Sequence, residues 1–135
     1  MIVDTSALLA FFDRNELDHA AVAAAVAKVT EPLVVSPYVV AELDYLVATR
    51  HGIVAELAVL DELASGAWDL APFSGADVAV ARQLVERYAD QDIGVADASI
   101  VVLAARYGTR LVATLDHRHF DVLRPLDGRR FTIVP

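Results

Sequence analysis

Short apolar segments alternate with longer helical ones along the whole chain, and this alternation limits the folds available to it. Strands are expected at 1–4, 33–35, 68–71, 111–115 and 131–134, and helices at 6–12, 18–28, 37–51, 53–65, 74–88 and 97–107. Such alternation is typical of an α/β fold with a mainly parallel sheet. We therefore predict a single domain over residues 1–135, in which a central parallel sheet of about five short strands is flanked by helices.

Capping signals support several of these helix boundaries. Ser36 followed by a proline is a typical helix start, because serine accepts a backbone N–H and proline suits the first helical position. Gly52 predicts a left-handed stop, and Ser74 with Asp77 has the spacing of a capping box. Thr5 and Ser6 are candidates for the N-cap of the first helix.

The composition narrows the class of protein. Of the 135 residues 56% are hydrophobic, which is enough for a substantial core, and no cysteine is present. The absence of cysteine excludes disulfides, thiolate metal sites and a cysteine nucleophile. The longest apolar stretch, 93–105, is interrupted by Asp97 and Ser99 and is too short for a bilayer, which needs ~20 apolar residues. The N-terminal residues lack the pattern of a signal peptide, so we expect a soluble cytoplasmic protein without a membrane partner.

The charge distribution bears on nucleic-acid binding. A formal net charge of −8 argues against a nucleic-acid partner, because phosphate binding depends on Lys and Arg. However, six of the 11 basic residues and only three of the 19 acidic ones lie between positions 106 and 130. This segment could contact phosphates, and an ordinary solvated surface is the alternative.

Four carboxylates occur where a parallel α/β fold collects its functional groups. Asp4 and Asp116 each follow a predicted strand, and the carboxyl ends of such strands border the ligand crevice. Asp97 lies in the first turn of a helix after Gly94, and Glu42 lies in the middle of a helix. Each also has an ordinary explanation: a helix cap for Asp4, a macrodipole contact for Asp97, a surface acid at Glu42 and a turn cap for Asp116.

A hard divalent cation would explain all four carboxylates together. Asp97 shares its helix face with Ile100, Val101 and Ala104, and a carboxylate on such a buried face needs a partner. No Lys or Arg adjoins Asp4 or Asp97 in the sequence. Mg²⁺ takes oxygen ligands and can activate water for displacement at a phosphodiester. If the carboxylates cluster without a metal, their mutual repulsion should raise the pKa of at least one of them.

Four motifs, in order and spanning almost the whole chain, resemble those of PIN domains. The last of them is similar to the T-x-D-x-x-H-F ending common in VapC toxins of bacterial toxin–antitoxin pairs. The motifs are Ile2-Val3-Asp4-Thr5-Ser6-Ala7, Val39-Val40-Ala41-Glu42-Leu43, Ile93-Gly94-Val95-Ala96-Asp97-Ala98-Ser99 and Thr114-Leu115-Asp116-His117-Arg118-His119-Phe120.

The resemblance implies an activity and partners. A VapC toxin is a Mg²⁺-dependent endoribonuclease, with Mn²⁺ as a substitute, that cuts tRNA or rRNA by means of a metal-activated water and thereby inhibits translation. The expected products carry a 5′-phosphate and a 3′-hydroxyl. The family further implies a homodimer and a VapB antitoxin whose tail covers the acidic groove. Residues 38–59 could supply part of a dimer or antitoxin surface, and core packing is the alternative for them.

The resemblance also assigns roles to individual residues. Asp4 and Asp97 would bind metal directly, and Asp116 would bind a second metal or complete the first coordination sphere. Glu42 would act directly or through water. Hydroxyls matching the motif, those of Ser6 and Thr114, would orient the Asp side chains or water. Contacts with the RNA backbone are expected from the basic segment, above all from Arg118 and Arg124. His119 is expected to lock the turn after Asp116, and Trp68 to lie in the core.

Two other functions fit parts of the pattern. A phosphohydrolase of the haloacid-dehalogenase kind also begins with an Asp at a strand end. It usually has a second Asp two residues later, where this chain has Ser6, and a catalytic lysine, whereas Lys28 is the only lysine here. A catalytically inactive PIN-like scaffold that binds a partner is the second alternative, and it would have no need of four acidic residues.

Overall fold

A five-stranded parallel sheet organises the computed structural model, which describes residues 1–135. The strands are β1 (Ile2–Val3), β2 (Val34–Val35), β3 (Asp69–Leu70), β4 (Leu111–Ala113) and β5 (Thr132–Val134). Their order in the sheet is β3-β2-β1-β4-β5, and every neighbouring pair is parallel. The predicted fold class, a parallel sheet of about five short strands flanked by helices, is confirmed.

Seven helices connect and cover these strands. They are α1 (Thr5–Phe12), α2 (His19–Lys28), α3 (Pro37–His51), α4 (Ile53–Ala64), α5 (Gly75–Arg87), α6 (Val95–Arg106) and α7 (His117–Phe120). Among them, α1 packs against α2 and α3, α3 packs against α4 and α6, and α5 packs against α6. None of these helices has the length and apolar character needed to cross a membrane.

The capping signals act as predicted at three helix ends. The Ser36 hydroxyl accepts the backbone N–H of Tyr38 at 3.2 Å at the start of α3. Gly52 ends that helix with a φ of +80°, a left-handed conformation that glycine adopts without steric cost. The Ser74 and Asp77 side chains form both bonds of a capping box at the start of α5.

The predicted cap of α1 is wrong, and the reason concerns the site. Asp4, and not Thr5 or Ser6, occupies the N-cap position, and its carboxylate makes no capping hydrogen bond. Thr5 and Ser6 lie inside the helix, where their hydroxyls donate to two carboxylates, Glu42 and Asp4. Hydroxyls that could satisfy a helix end are therefore used to hold acidic side chains.

Apart from shifts of a single residue, two other boundaries and one short helix differ from the sequence prediction. Strand β4 ends at Ala113 and not at Leu115. The next residue, Thr114, still donates its backbone N–H to Val134, and its hydroxyl donates to Asp4. Helix α6 begins at Val95, which places Asp97 third in the helix. The short helix α7 was not predicted, and it forms on the Asp116 side chain, which accepts a backbone N–H from its first turn.

The core is one continuous cluster of 31 buried residues from both faces of the sheet. Trp68 belongs to it, as predicted, and contacts the rings of Phe11 and Phe12. The segment 38–59 divides between the two expectations. Val39, Leu43 and Val47 of α3 are buried, whereas most side chains of α4 are exposed. Its exposed apolar residues include Ile53 and Val54.

The sheet topology creates a crevice beside the central strand. The chain runs outward from β1 to β3 and then returns to place β4 on the other side of β1. Ligand crevices of open α/β sheets form at such a reversal, outside the carboxyl ends of the strands. Val3 is in register with Ala113, so that Asp4 and Thr114 emerge side by side at this edge.

Candidate active site

A cleft of about 610 Å³ opens at the carboxyl edge of the sheet. Helix α3 forms one of its walls, and the amino end of α6 forms another. The four carboxylates singled out from the sequence all line it: Asp4, Glu42, Asp97 and Asp116. Residues that lie more than 90 positions apart in the sequence therefore meet at one edge, as the strand-end argument predicted.

Asp4 is the most deeply placed of the four. Only 6% of its surface is exposed, and its Oδ2 accepts hydrogen bonds from the Ser6 hydroxyl at 2.7 Å and from the Thr114 hydroxyl at 2.8 Å. Both hydroxyls also accept a backbone N–H, Ser6 from Leu115 at 2.9 Å and Thr114 from Asp116 at 3.0 Å. Each hydroxyl thus donates its single proton to Asp4 and accepts from the backbone through a lone pair, and the two hydroxyl oxygens lie 3.2 Å apart. The carboxylate is thus held in one orientation at the base of the cleft.

Asp97 is positioned by the first turn of α6. Its Oδ2 accepts the backbone N–H of Gly94 at 3.1 Å, the reciprocal bond of a capping box in which a glycine replaces the usual hydroxyl residue. The other oxygen, Oδ1, lies 3.4 Å from His119 Nδ1. The helix-start explanation for Asp97 is therefore correct as far as it goes, and it leaves one carboxylate oxygen facing the cleft.

His119 is a site residue that the sequence analysis placed only in a structural role. Its Nδ1 lies 3.1 Å from Asp116 Oδ2 and 3.4 Å from Asp97 Oδ1, so the imidazole bridges two of the carboxylates. Its backbone N–H also donates to Asp116 Oδ1 at 3.1 Å, which caps α7. The expected lock on the turn is therefore present, and the ring extends it into the cleft. The signal in the sequence was a histidine three residues after a strand-end acid.

Glu42 enters the cleft from α3 and is more exposed than the other three. One oxygen, Oε2, accepts a hydrogen bond of 2.5 Å from the Thr5 hydroxyl, and Thr5 itself is buried. Thr5 was missed as a site residue, although its place beside Asp4 in the first motif could have suggested it. Asp4 and Thr5, which follow β1 directly, therefore contact different parts of the cleft. Asp4 is bonded to Thr114, after β4, and Thr5 is bonded to Glu42 on α3.

Burial raises the pKa of two of these carboxyl groups. For Asp4 the largest cause is loss of solvent, opposed by the hydroxyls of Ser6 and Thr114, with a smaller rise from the charge of Asp97. For Asp97 loss of solvent again raises the pKa most, while the Gly94 N–H and His119 lower it. The predicted rise in pKa is confirmed, but the predicted main cause, repulsion between carboxylates, is the lesser one.

The donor chemistry of the cleft fits a hard divalent cation. Carboxylate oxygens are what Mg²⁺ prefers, and it is commonly held by one or two carboxylates with waters in its remaining positions. No three acidic or imidazole side chains lie close enough together to bind one ion directly. Joint direct ligation by Asp4, Asp97 and Asp116 would therefore need side-chain movement, whereas ligation by fewer carboxylates with water would not.

The arginines of the basic segment do not lie together at this cleft. Arg118 lies at the rim, with Nη2 3.5 Å from Asp92, a cleft residue. The Arg124 guanidinium instead donates to the backbone carbonyls at 121–123, a structural role. Arg129 and Arg110 line a separate cavity of about 630 Å³ at the carboxyl end of α6. RNA binding by Arg118 or Arg124 remains a prediction.

The sequence matches a family model and a curated relative over most or all of its length. A family model described as the PIN domain matches residues 1–124. Ribonuclease VapC26 of Mycobacterium tuberculosis (strain ATCC 25618 / H37Rv) is 62% identical over 135 residues, which is the full length of both chains.

Two solved structures show a similar fold. The sarcin–ricin loop cleaving toxin VapC20 of Mycobacterium tuberculosis aligns with a TM-score of 0.80 at 19% identity, over 87% of this chain and 91% of its own. FitAcB from Neisseria gonorrhoeae aligns with a TM-score of 0.68 at 21% identity, over 97% of this chain and 96% of its own. At these identities the likeness concerns the fold alone.

Proposed function

The chain belongs to the PIN-domain family and to its VapC branch, and we propose that it is a divalent-metal-dependent endoribonuclease, the toxin of a toxin–antitoxin pair. It cleaves phosphodiester bonds of tRNA or rRNA in the cytoplasm and so inhibits translation. The full-length identity of 62% to a ribonuclease VapC supports the activity. PIN-family membership also removes the reason for considering a haloacid-dehalogenase-like phosphohydrolase.

One observation carries the proposal: a buried carboxylate, Asp4, is held in a single orientation by two hydroxyls at the base of an acidic cleft. Burying a charge is costly unless it is paired, and Asp4 has no cationic side chain within ion-pair distance. A protein that only bound a partner would gain stability by replacing this aspartate. Its retention and the orienting hydroxyls are explained by a ligand that needs the negative charge.

The roles of the side chains follow from their positions. Asp4 and Asp97 would hold the cation, Asp4 through its fixed orientation and Asp97 through Oδ1, the oxygen that lies near His119. When bound, the cation supplies activation of a water and stabilises negative charge on the phosphodiester. Asp116 completes the acidic set through the oxygen that contacts His119. Glu42, oriented by Thr5, faces the same space from α3 and acts on the cation or on water.

The antitoxin and a second copy of the chain are the proposed protein partners. Ile53, Val54 and Leu57 of α4 are each more than half exposed. They lie next to a small groove of about 130 Å³ between α1, α3 and α4, lined by apolar side chains such as Phe12 and Val59. A VapB-type tail could cover this apolar surface and place an arginine among the carboxylates, where it would replace the cation electrostatically.

The proposal is tested by incubating purified, antitoxin-free protein with total bacterial RNA in Mg²⁺, Mn²⁺ or EDTA, and mapping the cleaved ends by sequencing. We expect discrete cuts that carry a 5′-phosphate and need the cation. Asp97→Asn should reduce the cleavage rate by more than about 100-fold, since even residues that only support metal ligands contribute 10- to 100-fold. The mapped ends also decide between tRNA and rRNA as the substrate.

A matched control separates the site from general loss of charge. Asp61→Asn removes one exposed carboxylate from α4, outside the cleft, and should cut like the parent protein. Thermal melting establishes that both variants are folded. If folded parent protein cuts no RNA with either cation, the inactive-scaffold alternative replaces this proposal.

A further inference from the structure

Helix α3 presents a regular stripe of side chains to the cleft. Tyr38, Glu42, Leu46 and Arg50 all line it, and they follow one another at intervals of four residues. Side chains at this spacing lie one above another on a helix. With a rise of 1.5 Å per residue the stripe is about 18 Å long. The stripe therefore extends well beyond a single cation site. Its one carboxylate, that of Glu42, helps to form that site.

The two ends of this stripe are suited to different parts of a nucleotide chain. Tyr38 is half-buried, and its ring packs edge-to-face on Phe73 with centroids 5.3 Å apart and planes at 89°. This contact holds an aromatic ring at one end of the wall. Aromatic rings recognise unstacked RNA bases by stacking.

Arg50, at the other end, is a cation that the protein leaves largely uncommitted. Half of its side chain is exposed, and its nearest acidic atom is Glu16 Oε1 at 3.9 Å. By comparison, Arg106 lies 2.6 Å from Asp77. Although Arg50 lines a cleft that contains several carboxylates, it forms no ion pair with any of them. Neutralising the cleft is therefore not its role, and its free donors suit a phosphate.

We propose that the α3 stripe is a track for a single-stranded RNA segment, in which Tyr38 stacks on a base and Arg50 contacts a phosphate on opposite sides of the scissile bond. The inference rests on the proposed function and names the form of RNA that the cleft accepts. A single strand fits because its bases are free to stack on a ring, whereas those of a duplex are not. Tyr38 and Arg50 bind the RNA strand, and Glu42 between them lies at the reacting phosphate.

The test measures binding, separately from cleavage. In an Asp97→Asn background with Mg²⁺, fluorescence anisotropy follows a labelled mixed-sequence single strand of about 12 nucleotides over a series of salt concentrations. Arg50→Ala should reduce the slope of log affinity against log salt by about 0.7, the value for one phosphate contact on a single strand. Tyr38→Ala should weaken binding about tenfold without changing that slope. The same sequence as a duplex should bind more weakly.

Matched variants protect the result against folding artefacts. Tyr45→Ala removes an exposed tyrosine of the same helix outside the cleft, and Arg82→Ala removes an exposed arginine of α5. Both should bind like the background protein. The conservative changes Tyr38→Phe and Arg50→Lys, which keep the ring and the charge, should restore most of the affinity and the salt slope, respectively.

Two results would overturn the track. One is that Tyr38→Ala and Arg50→Ala bind the single strand like their controls while the parent protein cleaves RNA, in which case the proposed function stands without the track. The other is tighter binding of the duplex than of the single strand. If the parent protein neither binds nor cleaves RNA, the proposed function fails together with the track.

Discussion

The two ends of helix α6 border cavities of nearly the same size and opposite chemistry. The cleft at the amino end measures about 610 Å³ and the cavity at the carboxyl end about 630 Å³. The cleft contains a buried carboxylate, that of Asp4, which hydroxyl donors hold in one orientation. The cavity at the carboxyl end is bordered by exposed arginines, Arg110 and Arg129, and by Asp127. Volume therefore does not identify the site, whereas a buried charge held in one orientation does.

This comparison is tested most strongly by removing one hydroxyl at each end. Thr114→Val deletes a donor to Asp4 and leaves the Asp116 N–H without its acceptor. We expect cleavage and Mg²⁺ affinity to fall about 10- to 100-fold, as is usual when a residue that orients a metal ligand is lost. Single-turnover cleavage during a Mg²⁺ titration measures both effects.

The matched change at the other end is Thr109→Val, which also removes the acceptor of a backbone N–H, that of Leu111. Thr109→Val is expected to affect stability only. In either variant the free energy of unfolding should fall by about 1–3 kcal/mol if the N–H stays buried and unpaired. Equal losses of cleavage in the two variants, after correction for the folded fraction, would mean that Thr114 acts through stability and not through Asp4.

A smaller effect is expected on the stability of the metal-free protein. The pKa of Asp4 is raised by burial, so the protonated form is favoured in the folded state. A raised pKa contributes stability below the unfolded value, 3.8, and this contribution is lost as the pH rises through the folded value. As the carboxyl group ionises with rising pH, the folded state is therefore destabilised relative to its protonated form. Asp4→Asn, which cannot ionise, should therefore raise the Tm of the metal-free protein at neutral pH.

Tm measurements at lower pH and with Mg²⁺ distinguish this effect from a general gain in stability. Near pH 4 the difference between Asp4→Asn and the parent protein should disappear, and Mg²⁺ should raise the Tm of the parent but not of the variant. Asp127→Asn, at the exposed end, should leave the Tm unchanged under all three conditions. A Tm for Asp4→Asn at or below that of the parent at pH 7 would contradict the assignment of burial as the main cause.

Sequence reasoning succeeded where local chemistry decides the structure. The strand-end position of Asp4 and the caps at Ser36 and Ser74 depend on neighbouring residues, and all were predicted. What it missed depends on distant partners. That His119 bridges two carboxylates follows from the packing of α7 against the amino end of α6. That Thr5 binds Glu42 depends on how α1 meets α3, and nothing local to residue 5 reveals it.

The basic segment, 106–130, also shows that prediction from sequence does not reveal which residues the fold brings together. Its arginines are close in sequence, so a single phosphate-binding group was the natural expectation. The chain between positions 110 and 130 crosses the sheet through β4, forms α7 and returns towards the start of β5, which separates them. Because Thr132 pairs with the backbone of Arg110 at the amino edge of the sheet, Arg129 lies far from the carboxylates. Sequence proximity within a parallel α/β unit predicts contact only for residues at the same sheet edge.

The weakest effect on RNA binding is expected from Arg118 and Arg129, which lie near opposite ends of α6. Arg118 borders the cleft, but its side chain is largely exposed and its charge is partly offset by Asp92. Arg118→Ala should therefore weaken binding of the single-stranded RNA only about three- to fivefold, as expected for one exposed, salt-screened contact. Arg129→Ala removes the same charge from the cavity at the other end of α6 and should change affinity by less than about twofold. Anisotropy titrations in the Asp97→Asn background, at one fixed salt concentration, compare the two directly. A larger loss for Arg129→Ala than for Arg118→Ala would mean that RNA contacts both ends of α6, and that the arginine-lined cavity is part of the binding surface after all.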